Sequence, residues 1–393
     1  MKNLRMQQEM TDRGRLEIRV NARIQARPVS GARVTVSYTG DPQNVIEELI
    51  TDGDGRTETL DLATPPLEYS LEPNVNQPYS EYTVKVEPGL TYSFKVTAVN
   101  RGGESFPSEI LSAYKAKRSK GTLLIVNGFD ATSGPAEVNS ALLQGFDLKA
   151  DPGIPDGQTP AYCGYQQGFN RDKAGLETGD GLGVSDDVLE GRLIAGNTRD
   201  YVFVHGKAIQ RAGRYSFVSC SDETLESGST DLTHYDMVDL ICGADAKTFS
   251  ASMREALAGY CRQGGRLLVS GSKWGENLQK DDFGKNVLKC TYGGRFSNLS
   301  SAPVKGAGTS FRIQGGANES IYAVPSMECV MPVEGAYSAF AYTNGNYGSG
   351  TVYRGEDYRT FVLGFPLECV ENTDVRTYLM QTIVQTLLSK KRR

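Results

Sequence analysis

A β-sandwich followed by a doubly wound α/β unit is the fold class this sequence predicts, and three observations predict it. Tyr235–Ser272 reads as strand, helix, strand. From Arg15 to about residue 115, short runs of alternating apolar and polar side chains are broken by turn residues. Between the two regions lies KAKRSK, a polar cationic stretch. The expected organisation is a polar lead-in over 1–14, a sandwich over 15–115, a linker over 116–120 and an α/β unit over 121–393. A β-rich insertion is expected around 290–355.

The strand–helix–strand reading rests on period and punctuation. Tyr235–Cys242 is apolar except for Asp236 and Asp239, and Leu267–Val269 is a second apolar run. Runs this short and apolar fit strands covered on both faces. Met253, Leu257, Tyr260 and Cys261 fall at i, i+4, i+7 and i+8, one stripe of a helix. Ser252 with Glu255 has capping-box spacing, and Ser250 is another candidate N-cap. Gly264-Gly265 supplies a residue able to take positive φ, which ends such helices. Together these are expected to form a βαβ unit, whose crossover is right-handed in nearly all folds.

Ahead of it, LEIRV (16–20), ARVTVSY (32–38), VIEELITD (45–52), TETLDL after Asp52-Gly53-Asp54-Gly55, and YTVKV (82–86) are expected strands. The Asp-Gly repeat reads as a hairpin turn, because the EF-hand pattern stops at Gly55. GTLLIVNGFD (121–130) opens the second unit. Residues 131–200 are rich in Gly, Asp and Pro, with one short helix expected in 185–196. Asp200–Ala212 is expected to be helical, RYSFVSCSDE (214–223) and RTFVLGFPLE (359–368) to be strands, and 375–390 an amphipathic closing helix.

The 393 residues carry a net charge of −5, and nothing in them suggests a nucleic-acid surface. No apolar run approaches membrane-spanning length, and the N-terminus lacks an apolar signal core. The seven cysteines are widely spaced without a CxxC, and there are two histidines, so neither a metal site nor a cofactor is expected. One or two disulfides are compatible with this count.

VEPGLTYSFKVTAVNRGGESFPSE resembles the last two strands of a fibronectin type III domain, with Tyr92 where that fold places its corner tyrosine. Residues 16–87 look more like the small sandwich of carboxypeptidase-regulatory-like modules. The phrases VNGFD, AGNTRDYVFVHGKAI, YSFVSCSDE, YDMVDLI, YCRQGGRLLVSG and FVLGFPLE resemble a family of secreted Bacteroidota proteins. Its members join a fibronectin type III module to an α/β domain and are often labelled xanthan lyase or golvesin-like. The resemblance covers residues 91–393 and implies an extracellular or cell-surface protein with a glycan or cell-wall ligand. The α/β pattern itself resembles the class I glutamine-amidotransferase-like fold. That fold carries its nucleophile on a sharp turn matched here by Gly271, Ser272, Lys273, Trp274 and Gly275. Lys273 holds the nucleophile's position, and Glu368 has no histidine near it in the sequence, so the amidotransferase triad is not intact.

In open parallel sheets, ligands bind beyond the carboxyl ends of the strands. That rule selects Asn127, Asp130, Ser219, Ser221, Asp222, Ser270, Ser272 and Glu368, with Trp274 as a sugar-stacking candidate. A serine-hydrolase reading takes Ser221, or else Ser219 or Ser272, as nucleophile, His205 as base and Asp222 or Asp130 as orienter. Glu276, Asp281 and Asp282 are alternative carboxylates for glycoside chemistry. Two functions are therefore expected side by side: a hydrolase acting on polysaccharide or cell-wall material, or a non-catalytic binding module on a degenerate enzyme scaffold.

Overall fold

The computed structural model describes residues 12–22, 28–64, 82–129 and 201–389 with short interruptions, and the backbone of four short strands within 130–200. The chain divides into two compact units, Met1–Lys117 and Arg118–Arg393.

The first unit contains β1 (Asp12–Ala22), β2 (Arg33–Tyr38), β3 (Val45–Ile50), β4 (Leu60–Thr64), β5 (Tyr82–Lys85), β6 (Leu90–Asn100), β7 (Gly103–Glu104) and β8 (Leu111–Tyr114). One sheet runs β4–β1–β6–β8 and the other β3–β2–β5, with antiparallel pairing throughout the described residues. Alternation does the sorting. In RVTVSY, Val34 and Val36 are buried while Arg33 is exposed. Val34 and Val36 share one core with Ile18, Val20, Leu62 and Tyr92 of the other sheet, so the unit is a β-sandwich. The Tyr92 hydroxyl accepts the Glu87 N–H at 3.0 Å, tying β6 to the chain just upstream. Asp52 Oδ1 accepts the N–H groups of Asp54 and Arg56, both at 2.9 Å, which closes a tight turn. β1 begins at Asp12, earlier than the lead-in over 1–14 allowed, because Arg13 and Gly14 pair with strands on both sides.

The second unit begins with β9 (Thr122–Asn127) and two short hairpins, β10 (Ala136–Asn139) with β11 (Gln144–Asp147) and β12 (Phe169–Asn170) with β13 (Val184–Ser185). Then come α1 (Tyr201–Ala212), β14 (Ser216–Ser221), β15 (Met237–Gly243), α2 (Ala251–Arg262) and β16 (Arg266–Gly271). The insertion supplies β17 (Cys290–Ser297), β18 (Val304–Gly306), β19 (Thr309–Phe311), β20 (Ser326–Pro332), β21 (Ala336–Tyr342) and β22 (Gly348–Arg354). β23 (Arg359–Leu363) and α3 (Thr373–Leu388) close the unit. The helix expected in 185–196 lies outside the described residues.

The parallel strands lie side by side as β14–β9–β15–β16–β23. Numbered along the chain, this is the 2-1-3-4-5 order of a doubly wound sheet, with its switch point between β9 and β15. β22, β21 and β18 extend it antiparallel beyond β23, while β17 and β20 form a separate pair. The Tyr235–Cys242 and Leu267–Val269 runs are therefore parallel neighbours, as a βαβ unit requires. Ser250 is the N-cap of α2, its hydroxyl accepting the Met253 N–H at 3.1 Å, and Gly264 at φ +90° ends it. Met253, Leu257, Tyr260 and Cys261 bury against Leu124, Val126, Val238, Leu240, Leu267 and Val269. Alternation along β15 turns Asp239 to the opposite face, where α1 packs against α3, β9 and β14.

α1 lies close to the sheet. A Cβ on Gly206 would fall 2.2 Å from the Phe217 ring of β14, and that ring is fully buried. Gly206→Ala therefore overpacks the helix–sheet seam. Its expected cost is about 1–3 kcal/mol, seen as a lowered midpoint in urea or thermal unfolding. The same change at Gly53, which has nothing within 4 Å, serves as the control.

Candidate functional site

Two constellations stand out in the α/β unit. The first is a buried triad. His205 of α1 meets Asp239 of β15, Nδ1 to Oδ2 at 2.8 Å, and Glu368 of the turn after β23, Nε2 to Oε2 at 3.2 Å. The three side chains are shielded from solvent. A neutral imidazole has one N–H and can donate to one carboxylate; donating to both requires the imidazolium. Burial opposes that charge, but the Asp239 carboxylate, by attraction and hydrogen bonding, and then Glu368 outweigh it and push the His205 pKa up to about 10. On α3, burial pulls the Arg376 guanidinium below its ordinary value, with Cys369 and Glu368 opposing and Arg211 adding to the fall.

The second is the turn after β16. Lys273 sits at φ +69°, a left-handed conformation that costs a non-glycine residue of order 1–3 kcal/mol and persists only where its surroundings hold it. Three contacts hold this turn. The Ser272 N–H donates to the Gly243 carbonyl at 2.7 Å, Trp274 Nε1–H donates to the Gly271 carbonyl at 3.0 Å, and the Gly275 N–H is shared by both carboxylate oxygens of buried Glu328 at 2.9 and 3.0 Å. Beside the turn is a recess of about 300 Å³, walled by Gly275, Lys285, Cys290, Thr291 and Tyr292 among others. Burial, with Glu328 adding to it and a hydrogen bond with Thr351 opposing, pushes the Cys290 thiol up to about 12. A thiol so protonated is a poor nucleophile at neutral pH.

The structure pairs His205 with Glu368 and does not form the Ser221–His205–Asp222 relay. Both ring nitrogens of His205 are taken by carboxylates, and the Ser221 hydroxyl lies 3.3 Å from that of Thr224. Asp222 is buried at the head of the turn Glu223–Glu226, its N–H donating to the Asn127 carbonyl at 3.0 Å. The polar rim expected to face a ligand is turned largely inward. Asn127, Ser270, Ser272 and Glu368 are buried, and Ser219 and Ser221 are half-buried. Ser270 Oγ has no hydrogen-bond partner among the described residues, and Ser272 Oγ is 3.5 Å from the Gly243 carbonyl. Trp274 is a core residue, its ring edge-on to Phe249, which removes its face from sugar stacking. Asp130 and Asp281 lie outside the described residues, and Asp282 is exposed. His234 is exposed, 3.6 Å from Asp231. The six described cysteines are free thiols, so no disulfide joins any two of them. Among the described residues, no cluster of His, Cys, Asp and Glu could hold a metal ion, and no helix is long and apolar enough to cross a membrane. Sequence reasoning missed Asp239, although a carboxylate inside a strand covered on both faces was its signal.

No known family profile matches the chain, and no curated protein does. Partial likenesses exist among solved structures. A β-galactosidase from the Antarctic haloarchaeon Halorubrum lacusprofundi is 15% identical with a TM-score of 0.35, over 48% of this chain and 26% of that one. An exo-β-1,4-mannosidase from Opitutaceae bacterium strain TAV5 is 10% identical at 0.37, over 50% and 33%. A protein described as ThuA-like from Parabacteroides merdae is 10% identical at 0.32, over 70% and 92%. The chain spans a third or less of the length of the two glycosidases.

The triad makes stability depend on pH. His205 is raised from an ordinary value of 6.5 to about 10, so the folded state holds its proton more tightly than the unfolded chain does. Its contribution is complete below pH 6.5, shrinks as pH rises between 6.5 and about 10, and is gone above that. Urea unfolding followed across this range is expected to show a decline that His205→Gln flattens. His205→Ala, which leaves two buried carboxylates facing each other, is expected to cost about 3–5 kcal/mol at neutral pH.

Proposed function

We propose that the α/β unit is a non-catalytic binding module for polysaccharide or cell-wall material, built on a glutamine-amidotransferase-like scaffold and presented by a fibronectin III-like sandwich in a secreted or surface protein. One observation carries the reading. The strained turn that would display a nucleophile displays Lys273 at φ +69°. A lysine stands where the resemblance places the nucleophile, and the Cys290 thiol in the neighbouring recess is held protonated by burial. His205 supports the same conclusion: an imidazolium clamped by two carboxylates is not a general base at neutral pH. The recess beside the turn is at the small end of ligand pockets. Tyr292, Thr291 and Lys285 offer it a ring face, a hydroxyl and an ammonium group. The glycan ligand and the secreted setting are supported by the sequence resemblance, and the sandwich assignment by the Tyr92–Glu87 bond.

The test is a co-sedimentation and titration series with peptidoglycan and a panel of soluble polysaccharides, each also assayed for turnover. Saturable binding without product release is expected, with affinity falling about tenfold in Lys273→Ala and Tyr292→Ala. Product release that disappears in Ser221→Ala or His205→Ala would establish the hydrolase instead. Absence of binding to every polymer would remove the proposal.

A further inference from the structure

We infer that the α/β unit carries a second binding site, for an oxyanion on a small polar molecule, at the amino-terminal edge of its parallel strands. A cavity of about 690 Å³ lies there, at the opposite end of the strands from Lys273. Its walls include the residues where the strands begin: Lys120 just before β9, Asp236 just before β15, Arg266 opening β16 and Arg359 opening β23. Tyr215, Tyr235 and Tyr260 complete much of the lining.

Three cations face one carboxylate, and that carboxylate is already engaged: Asp236 Oδ2 accepts the Thr122 N–H at 2.8 Å. Among the described residues, Lys120, Arg266 and Arg359 make no ion pair. Two of the three also bond backbone carbonyls at or just past helix ends. Arg266 Nη1 donates to the Gly264 carbonyl beyond α2, and Arg359 Nη1 donates to the carbonyls of Leu387 at 2.9 Å and Ser389 at 2.7 Å at the end of α3. A helix end is equivalent to roughly half a negative charge, so the two ends and Asp236 leave an excess of about one positive charge in the cavity. The cations also sense one another: burial, then Arg354 and Arg266, hold Arg359 below its ordinary value.

The carbonyl bonds use one nitrogen of each guanidinium. Nε and Nη2 of Arg266 and Arg359 have no hydrogen-bond partner among the described residues. Such an edge presents two parallel N–H groups, the geometry that a carboxylate or phosphate accepts. The volume exceeds that of a bare ion, and the tyrosines offer faces and hydroxyls to whatever carries the charge.

The test titrates the full chain with inorganic phosphate, with glucuronate and with neutral glucose, by calorimetry at low and high salt. Saturable, salt-weakened binding of at least one anion is expected, with none for glucose. Phosphate alone identifies a phosphate-bearing ligand, glucuronate alone a carboxylate-bearing one, and both support the site. A Lys120→Ala, Arg266→Gln double variant is expected to bind about tenfold more weakly. Lys120 is exposed, so Lys120→Ala alone keeps the fold and is expected to lose affinity several-fold. Failure of both anions to saturate at millimolar concentration overturns the proposal. So does unchanged affinity in either variant with a wild-type thermal midpoint.

Discussion

The constraint on which the α/β unit depends is a single buried cation between two buried carboxylates. Asp239 sits in the middle of β15, Glu368 follows β23, and His205 reaches both from α1. Removing such charges from water is expensive, and only mutual pairing with good hydrogen bonds offsets the cost. β15, the turn after β23 and the helix are therefore fixed to one another by a contact that cannot slide: shifting β15 by one residue would send Asp239 into the apolar core under α2. Apolar packing sets how much is buried here, whereas the triad sets the register in which it is buried.

That constraint also explains why the carboxyl ends of the strands look so little like a working catalytic cleft. The histidine is spent inside the protein, and the short polar side chains that finish the strands are mostly turned inward. What remains at those strand ends is a turn whose backbone is held by the Gly243 carbonyl, the Gly271 carbonyl and the Glu328 carboxylate. Those contacts do not involve the Lys273 side chain at the tip, so they hold the backbone of the turn independently of the residue that occupies it.

Much of this architecture was legible in the sequence because periodicity and punctuation report local structure. The stripe Met253–Cys261 and its Gly264 stop lie where the pattern placed them, while the cap is Ser250, with Ser252 and Glu255 of the capping-box spacing already inside the helix. Alternation along Val34 and Val36 likewise marked the sandwich core. The triad was not legible in the same way. Its members are 34 and 163 residues from His205, and no local pattern encodes a pairing at that distance. The sign was negative: Asp239 breaks an apolar strand, and a charge there needs a partner. Burial of Asn127, Ser270 and Ser272 was hidden for a related reason. Strand-end residues face solvent or neighbouring loops according to what the insertions do, and composition does not reveal that.

The insertion between β16 and β23 gives Glu368 a distinctive place in the order of assembly. β15, α2 and β16 are close in the chain and can associate early, whereas β23 must close a far longer loop before it pairs with β16. Docking of that C-terminal segment brings the second carboxylate to an imidazole already beside Asp239. That contact holds its proton up to about pH 10, so alkaline solution loosens the attachment of this C-terminal segment and protons serve the fold as a fastener for its final strand.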